Sequence, residues 1–317
     1  MNEFKDATVL VTGGAGFIGF HLSRKLLELG ANVVIYDNLS TGTPKNIEDL
    51  SNSRVKLVKG DVRKLEETKN NLSDCETVFH LAAQRDVAYS MKNPGEDVEI
   101  NVLGTLKILE KARKTDSRVI FASTSAVYGN AQRSHPTSED DPLKPISFYG
   151  LSKAAAEEEC LFYHRTYSLP VVVLRIFNVF GSRGHGVTAD FLHRLRENPK
   201  ELKILGTGNQ SRDFIYISDL VEALILSVNS RKAVGQVYNV GSGNVTSVKK
   251  LADFMIGLLG LKGITKVSCI GGEAWEGDMR INHANISKAK KGLNWQPRVQ
   301  LVDGLRMMIK EEKLSKL

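Results

Sequence analysis

The sequence is poor in cysteine and has no long apolar run. Its three cysteines, Cys75, Cys160 and Cys269, are far apart and odd in number, which points away from a disulfide framework and towards reduced thiols in a cytoplasm. The seven histidines are scattered as well, and no protein-bound metal is expected. Nothing approaches the roughly 20 consecutive apolar residues of a membrane-spanning helix. The polar opening Met1-Asn2-Glu3-Phe4-Lys5-Asp6 leads straight into an apolar run, so no signal peptide is expected. Repeats, low-complexity tracts and flexible linkers are missing too. The net charge is +7, but its lysines are spread along the chain. The one dense patch, Lys288-Ala289-Lys290-Lys291, reads as the solvated face of a short helix. That distribution argues against nucleic-acid binding and fits a field that draws in small phosphorylated ligands.

What is present is an alternation of strands and helices. Thr8-Val9-Leu10-Val11-Thr12 is a β-branched apolar run and runs into Gly13-Gly14-Ala15-Gly16-Phe17-Ile18-Gly19. The G-x-G-x-x-G spacing lies between that strand and a helical pattern ending at Gly30, the setting in which glycines let backbone approach a pyrophosphate at a helix N-terminus. A second strand over 32–36 ends at Asp37. An acid there accepts both adenosine ribose hydroxyls and repels a 2′-phosphate, favouring NAD over NADP, although Lys45 is close in sequence. A third strand over 55–58 is closed by Gly60-Asp61-Val62, where Asp61 either meets the adenine or caps a helix. Thr77-Val78-Phe79-His80 is a fourth strand running into the small-residue turn Leu81-Ala82-Ala83, with His80 read as structural. A helix over about 94–114, a fifth strand over 118–122 and a sixth over 171–175 follow. The expected fold is α/β: a doubly wound parallel (Rossmann) sheet with ligands at the carboxyl ends of its strands, and a smaller mixed α/β lobe for substrate. Residues 1–176 are assigned to the first lobe, with a later strand and helix near 213–240 returning to it, and 177–317 mainly to the second.

Ser147-Phe148-Tyr149-Gly150-Leu151-Ser152-Lys153 places a phenol and an ammonium one helical turn apart. A cation beside a phenol lowers its pKa towards neutrality, where it can exchange protons with a hydroxyl. The cluster Ser123-Thr124-Ser125 at a strand end lies upstream of it.

Together these motifs resemble the extended short-chain dehydrogenase/reductase superfamily and, within it, the nucleotide-sugar epimerases and dehydratases, most of all the UDP-glucose 4-epimerases. The resemblance spans nearly the whole chain. It includes His80-Leu81-Ala82-Ala83-Gln84, Arg175-Ile176-Phe177-Asn178-Val179-Phe180-Gly181, the segment Gly206 to Tyr216, and Gly277-Asp278 leading to Ile286-Ser287-Lys288-Ala289. It implies NAD held by Gly13, Gly16, Phe17, Ile18, Gly19, Asp37, Asn38, Asp61, Val62, Leu81, Ala82, Ala83, Tyr149 and Lys153. It implies Thr124, Tyr149 and Lys153 as the catalytic set. Lys153 would bind the nicotinamide ribose and hold the Tyr149 pKa down. Thr124, Asn178, Arg212, Asp278 and Asn282 would contact a nucleotide sugar, with Arg212 on its diphosphate. The implied reaction is epimerisation of UDP-glucose and UDP-galactose at C4 through a transient keto-sugar. The alternative is another NAD-dependent sugar-nucleotide oxidoreductase, such as a UDP-glucuronate epimerase, a dehydratase or a reductase.

Two departures sharpen the expectation. Dehydratases of this kind carry Asp-Glu directly after the threonine, and decarboxylases keep a glutamate at the second place. Here Ser125 and Ala126 stand there, which favours simple epimerisation. Many relatives also have Arg-x-Gly-Asp where this chain reads Trp275-Glu276-Gly277-Asp278, so a cation is missing unless Arg280 replaces it. Asn282 falls at a pocket-wall position where a tyrosine excludes N-acetylated sugars. The helix near 94–114 and the one after Tyr149 carry wide apolar faces, and the matching helices in relatives form a four-helix interface, so a homodimer is expected.

Overall fold

The computed structural model describes residues 3–50, 53–68, 75–130, 135–272 and 279–314. Seven parallel strands form the central sheet: β1 Thr8–Thr12, β2 Asn32–Asp37, β3 Val55–Lys59, β4 Thr77–His80, β5 Arg118–Thr124, β6 Val171–Ile176 and β7 Gln236–Val240. Their spatial order is β7-β6-β5-β4-β1-β2-β3. Side chains alternate across a strand, so a sheet covered on both faces needs apolar residues at every position. Val9, Val11, Ile35, Ile120 and Leu174 enter one core layer, while Leu10, Val34, Val119, Phe121 and Val173 enter the other. The order reverses between β1 and β4, and a cleft opens at the carboxyl ends of strands at such a point.

Two elements differ from the sequence reading, each for a visible reason. Strand β5 runs on through Ser123 and Thr124, which pair in register with Arg175 and Ile176 of β6. The cluster is therefore part of the sheet, and the Thr124 side chain is placed by it. The helix expected near 94–114 is formed as Pro94–Val98, a π-helical turn Glu99–Leu103, and Gly104–Thr115. The Thr105 hydroxyl bonds the Asn101 carbonyl at 2.6 Å, and the buried Asn101 side chain pairs with both backbone groups of Gln84 at 2.9 Å. A turn whose side chain is committed to another segment opens the helical ladder, and such π turns gather at functional sites.

The remaining elements form a smaller cap of helices and short strands. Glu201–Leu205 pairs with Lys266–Ile270, and Ser211–Arg212 lies between Thr246–Ser247 and Ile281–Asn282. That three-stranded ribbon sets Asn282 beside Arg212. Asp213, fully buried, ties the cap together by accepting from the backbone of Ser242 at 2.6 Å, Gly243 at 2.9 Å and Ala284 at 3.2 Å. Burial pushes its carboxyl pKa up, and these bonds oppose the shift. Lys290 and Lys291 lie exposed on the short helix Ser287–Gly292, whose Ala289 packs inward.

Candidate active site

A groove of about 450 Å³ runs along the carboxyl ends of β1, β2 and β4. Gly13, Gly16, Phe17, Ile18, Gly19, Asp37, Asn38, Asp61, Val62, Leu81, Ala82 and Ala83 all line it. Gly13 has φ of 69°, and a Cβ there would meet the Ala82 backbone nitrogen at 2.8 Å. A Cβ on Gly19 would lie 2.2 Å from the Gly13 carbonyl oxygen. The turn thus keeps β1, the following helix Phe17–Glu28 and the Leu81–Ala83 turn in close approach. Gly16, at the helix N-cap, offers no side-chain acceptor of its own.

Asp37 is buried at the end of β2 and accepts from the backbone of Ala15 at 2.9 Å through Oδ2 and of Leu39 at 2.7 Å through Oδ1. A carboxylate has about four lone-pair sites, so one per oxygen remains for a ribose hydroxyl. Lys45 pairs with Asp49 at 3.6 Å. Asp61 is more committed: Arg63 reaches it through its backbone nitrogen, Nε and Nη2, and Asn38 through Nδ2, at 2.8–3.0 Å. Arg63 first, then these other donors, hold its carboxyl far below the usual range. All four lone-pair directions are engaged, so an adenine amino group would have to share one.

Tyr149 sits in the first turn of the helix Phe148–Tyr167, whose N-cap Ser147 accepts from Gly150 at 3.1 Å. The Tyr149 phenol faces the Thr124 hydroxyl, which favours its ionised form and itself accepts from the Ala126 backbone at 3.2 Å. Against the expected fall, the Tyr149 pKa is raised: burial pushes it up, Thr124 and Arg85 oppose that, and Asp97 adds to it. The Lys153 ammonium is buried and lies 4.0 Å from the Phe121 ring centroid. Burial brings its own pKa down to about 8, against Cys160, Glu157 and Asp97. Helical spacing sets the face a side chain leaves from, and a four-carbon stem decides where its charge ends.

Behind the pair lie two polar clusters that sequence reasoning missed. Gln84 Nε2 donates to Asp97 at 2.7 Å, Ser152 donates to the same carboxylate, and Asn101 donates to Ser152 at 3.0 Å. On the other side Arg175 makes a forked contact with Glu157, 2.8 Å from Nη2 to Oε2 and 3.1 Å from Nε to Oε1. Both side chains are almost wholly buried, and Tyr128 and Ser123 join them by hydrogen bonds. His80 stands between Thr12 at 2.7 Å and Thr105 at 3.0 Å, neutral, with a pKa driven down to about 3 by burial.

A second, larger cavity of about 1080 Å³ lies under the cap and is lined by Asn178, Arg194, Lys203, Leu205, Gln210 and Arg212 among others. Asn178 lies at the start of a short strand and donates through its backbone nitrogen to the Asp213 carbonyl at 3.0 Å. Arg212, buried, donates to the Ser211 carbonyl at 3.0 Å. Asn282, buried, donates to the Ser125 hydroxyl at 2.7 Å, directly beyond Thr124. Asp278, with Trp275, lies outside the described residues.

Residues 9–241 match the family model described as NAD dependent epimerase/dehydratase family. The chain belongs to the NAD-dependent epimerase/dehydratase family. Its relatives include a UDP-glucose 4-epimerase of Mycolicibacterium smegmatis, 34% identical, with 93% of this chain and 95% of that protein aligned. A UDP-glucuronic acid decarboxylase 1 of Xenopus tropicalis is also 34% identical, over 98% of this chain and 73% of that one. Among solved structures, the UDP-glucose 4-epimerase of Thermotoga maritima with UDP-glucose superposes with a TM-score of 0.90 at 34% identity, covering 98% of this chain and 100% of that one.

The groove of this family member fits the cofactor of the family's name. Its glycine cradle would be filled by any Cβ, and Asp37 keeps an acceptor on each oxygen. Gly13, Gly16, Phe17, Ile18, Gly19 and Asp37 would hold NAD. The Arg175–Glu157 and Asp97–Ser152 pairs gave no sequence signal, because their partners are far apart in the chain and belong to no spacing rule. Arg85 and His185, both in the cleft, were passed over for the same reason.

Proposed function

We propose that the protein epimerises a UDP-hexose at C4, with UDP-glucose and UDP-galactose as the parent pair. The observation that carries this reading is the Thr124 hydroxyl facing the Tyr149 phenol, followed by Ser125 and Ala126 with no carboxylate among the three. Elimination of water needs a further acid and base beside the threonine, and none is supplied there. Ser125 is instead committed to Asn282.

NAD supplies reversible removal of hydride from the sugar when bound. Tyr149 takes the proton of the C4 hydroxyl and returns it, and the Thr124 hydroxyl steadies the phenolate by donating to it. Tyr149 needs a positive field to act as a base near neutral pH. Arg85 contributes part of that field, and Lys153, one turn along, is assigned the rest by the family resemblance. Arg212 suits the substrate diphosphate through its planar donor fork, and Asn178 the adjoining sugar phosphate. The larger cavity gives the keto-sugar room to turn over before it is reduced on its other face. Asp278 is assigned to the same ligand by resemblance alone. Residues 1–176 with β7 serve the cofactor in this reading, and the cap serves the sugar nucleotide. The free thiols Cys75, Cys160 and Cys269 suit a cytoplasmic setting.

The test is separate incubation with UDP-glucose, UDP-galactose and UDP-glucuronate, with products identified by NMR. A C4 epimer with no lasting consumption of NAD is expected. Stoichiometric consumption of NAD, or loss of water from the sugar, would overturn the reading.

A further inference from the structure

Arg183 carries a Cβ at a φ of 62°, in the left-handed region. Such backbone persists only where its surroundings over-determine it, and it gathers at functional positions. Here those surroundings come from elements far apart in the chain. The Arg183 backbone nitrogen donates to Glu312 Oε1 at 2.8 Å, and the Ser182 hydroxyl donates to Glu311, both on the last helix, Leu301–Leu314. The Ser182 carbonyl accepts from His21 Nε2 at 3.0 Å, on the helix after the glycine turn. The Arg183 side chain reaches back over that helix, its guanidinium 4.0 Å from the Phe20 ring centroid. Beyond Phe20, Nη1 donates to Asn46 Oδ1 at 2.7 Å and Nη2 pairs with Asp49.

Asn46 is buried and passes the contact on. Its Nδ2 donates to the Ala15 carbonyl at 2.8 Å, beside a 3.2 Å bond from the Thr43 backbone nitrogen. Ala15, fully buried, gives its own N–H to Asp37 Oδ2 at 2.9 Å. An amide side chain has one acceptor end and one donor end, so a donor that holds its oxygen decides where its NH2 points. We infer that Arg183 is a positioning residue for the adenosine end of the dinucleotide: it fixes Asn46, Asn46 fixes Ala15, and Ala15 aims the Asp37 carboxylate at the ribose hydroxyls. The diphosphate end does not depend on this relay. Gly13 donates to the Tyr36 carbonyl at 2.9 Å and Gly16 to the Gly13 carbonyl at 3.1 Å, so the turn is closed by its own bonds. Through Glu312, the last helix of the chain takes part in cofactor recognition from outside the groove. The inference concerns the cofactor and is independent of which sugar is turned over.

The experiment titrates the full-length wild type, Arg183→Gln and Asn46→Ala with NAD and with NADP by calorimetry, and records urea unfolding of each. Glutamine removes the fork, so Asn46 loses its fixed donor. Arg183→Gln should raise the NAD Kd about tenfold, the scale of one hydrogen bond to a carboxylate. NADP gains nothing from Asp37, whose charge repels its 2′-phosphate, so its Kd should stay within about twofold. The ratio of the NADP to the NAD constant therefore falls. Asn46→Ala, which leaves Arg183 on Asp49, should lower the ratio as much, and the double variant should be no worse than either single one, as for two links of one relay. Unchanged NAD affinity in Arg183→Gln would overturn the inference. Equal weakening of both dinucleotides together with a lower urea midpoint would overturn it too, and would make Arg183 a structural tie alone. Fully additive losses in the double variant would break the relay. Should Arg183→Gln fail to fold, the ratio in Asn46→Ala decides by itself. No sugar enters these titrations, so each outcome leaves the epimerase reading where it stood.

Discussion

At the scale of single residues, Tyr149 is the group whose removal is most informative. Its hydroxyl is the one placed against Thr124, and its ring is not among the walls of the dinucleotide groove. Tyr149→Phe should lower kcat by about 10²–10⁴-fold, the usual worth of a positioned acid/base, while NAD titration gives the wild-type affinity. Wild-type turnover in this variant would remove Tyr149 from the chemistry. Asn282 offers a second test. It is buried, tied at 2.7 Å to Ser125, one residue beyond the threonine, and registered beside Arg212. A phenol ring in its place would overfill a close-packed wall. UDP-N-acetylglucosamine should be turned over by the wild type. Asn282→Tyr should lower its kcat/KM about tenfold more than that of the unacetylated sugar, which is the discrimination a few heavy atoms give in a pocket. An equal effect on both sugars would show that Asn282 does not shape the sugar's acetamido side.

At the scale of elements, the forked Arg175–Glu157 contact joins β6 to the helix that carries Tyr149. Both charges are out of water, so deleting one leaves the other buried and unpaired. Arg175→Ala should cost about 3–5 kcal/mol of stability, read as a lower midpoint in urea unfolding. A midpoint within error of wild type would mean that water reaches Glu157. The neighbouring elements show how far the sequence could be read. The strands β1 to β6, the glycine turn and the Tyr149 helix were legible because each is announced locally, by apolar runs, glycine spacing or the Tyr149–Lys153 spacing. The groove residues from Gly13 to Ala83 came from the same local signals joined to the family resemblance. Thr124 inside the sheet, the π turn at Asn101 and the Arg175–Glu157 fork depend on partners far away in the chain. The Lys153 ammonium ends over the Phe121 ring of another strand, a contact that helical spacing does not announce.

At the scale of the whole molecule, two properties should be measurable. Val98, Leu103 and Leu106 are exposed on the helix before β5, as are Phe148, Leu151 and Phe162 on the Tyr149 helix. Helix faces of this kind are covered in association, and a homodimer is the expected state. A monomer mass by light scattering at micromolar concentration would count against it. Stability should also fall on mild acidification. The folded state keeps His80 neutral down to about pH 3, whereas the unfolded chain takes up its proton near 6.5. The His80 contribution is thus full above 6.5 and declines as pH falls through that window, at about 1.4 kcal/mol per pH unit. Urea midpoints at pH 7.5 and 5 should differ accordingly, and His80→Gln should flatten the difference. His185 lines both the dinucleotide groove and the cavity under the cap. Where two ligands touch the same side chain, any coupling between them is reciprocal, and each changes the other's affinity by the same factor. A favourable coupling there would lengthen the stay of whatever lies in the groove while the space under the cap is filled. A reaction in two halves, each of which needs the same dinucleotide molecule, is served by such a mutual latch.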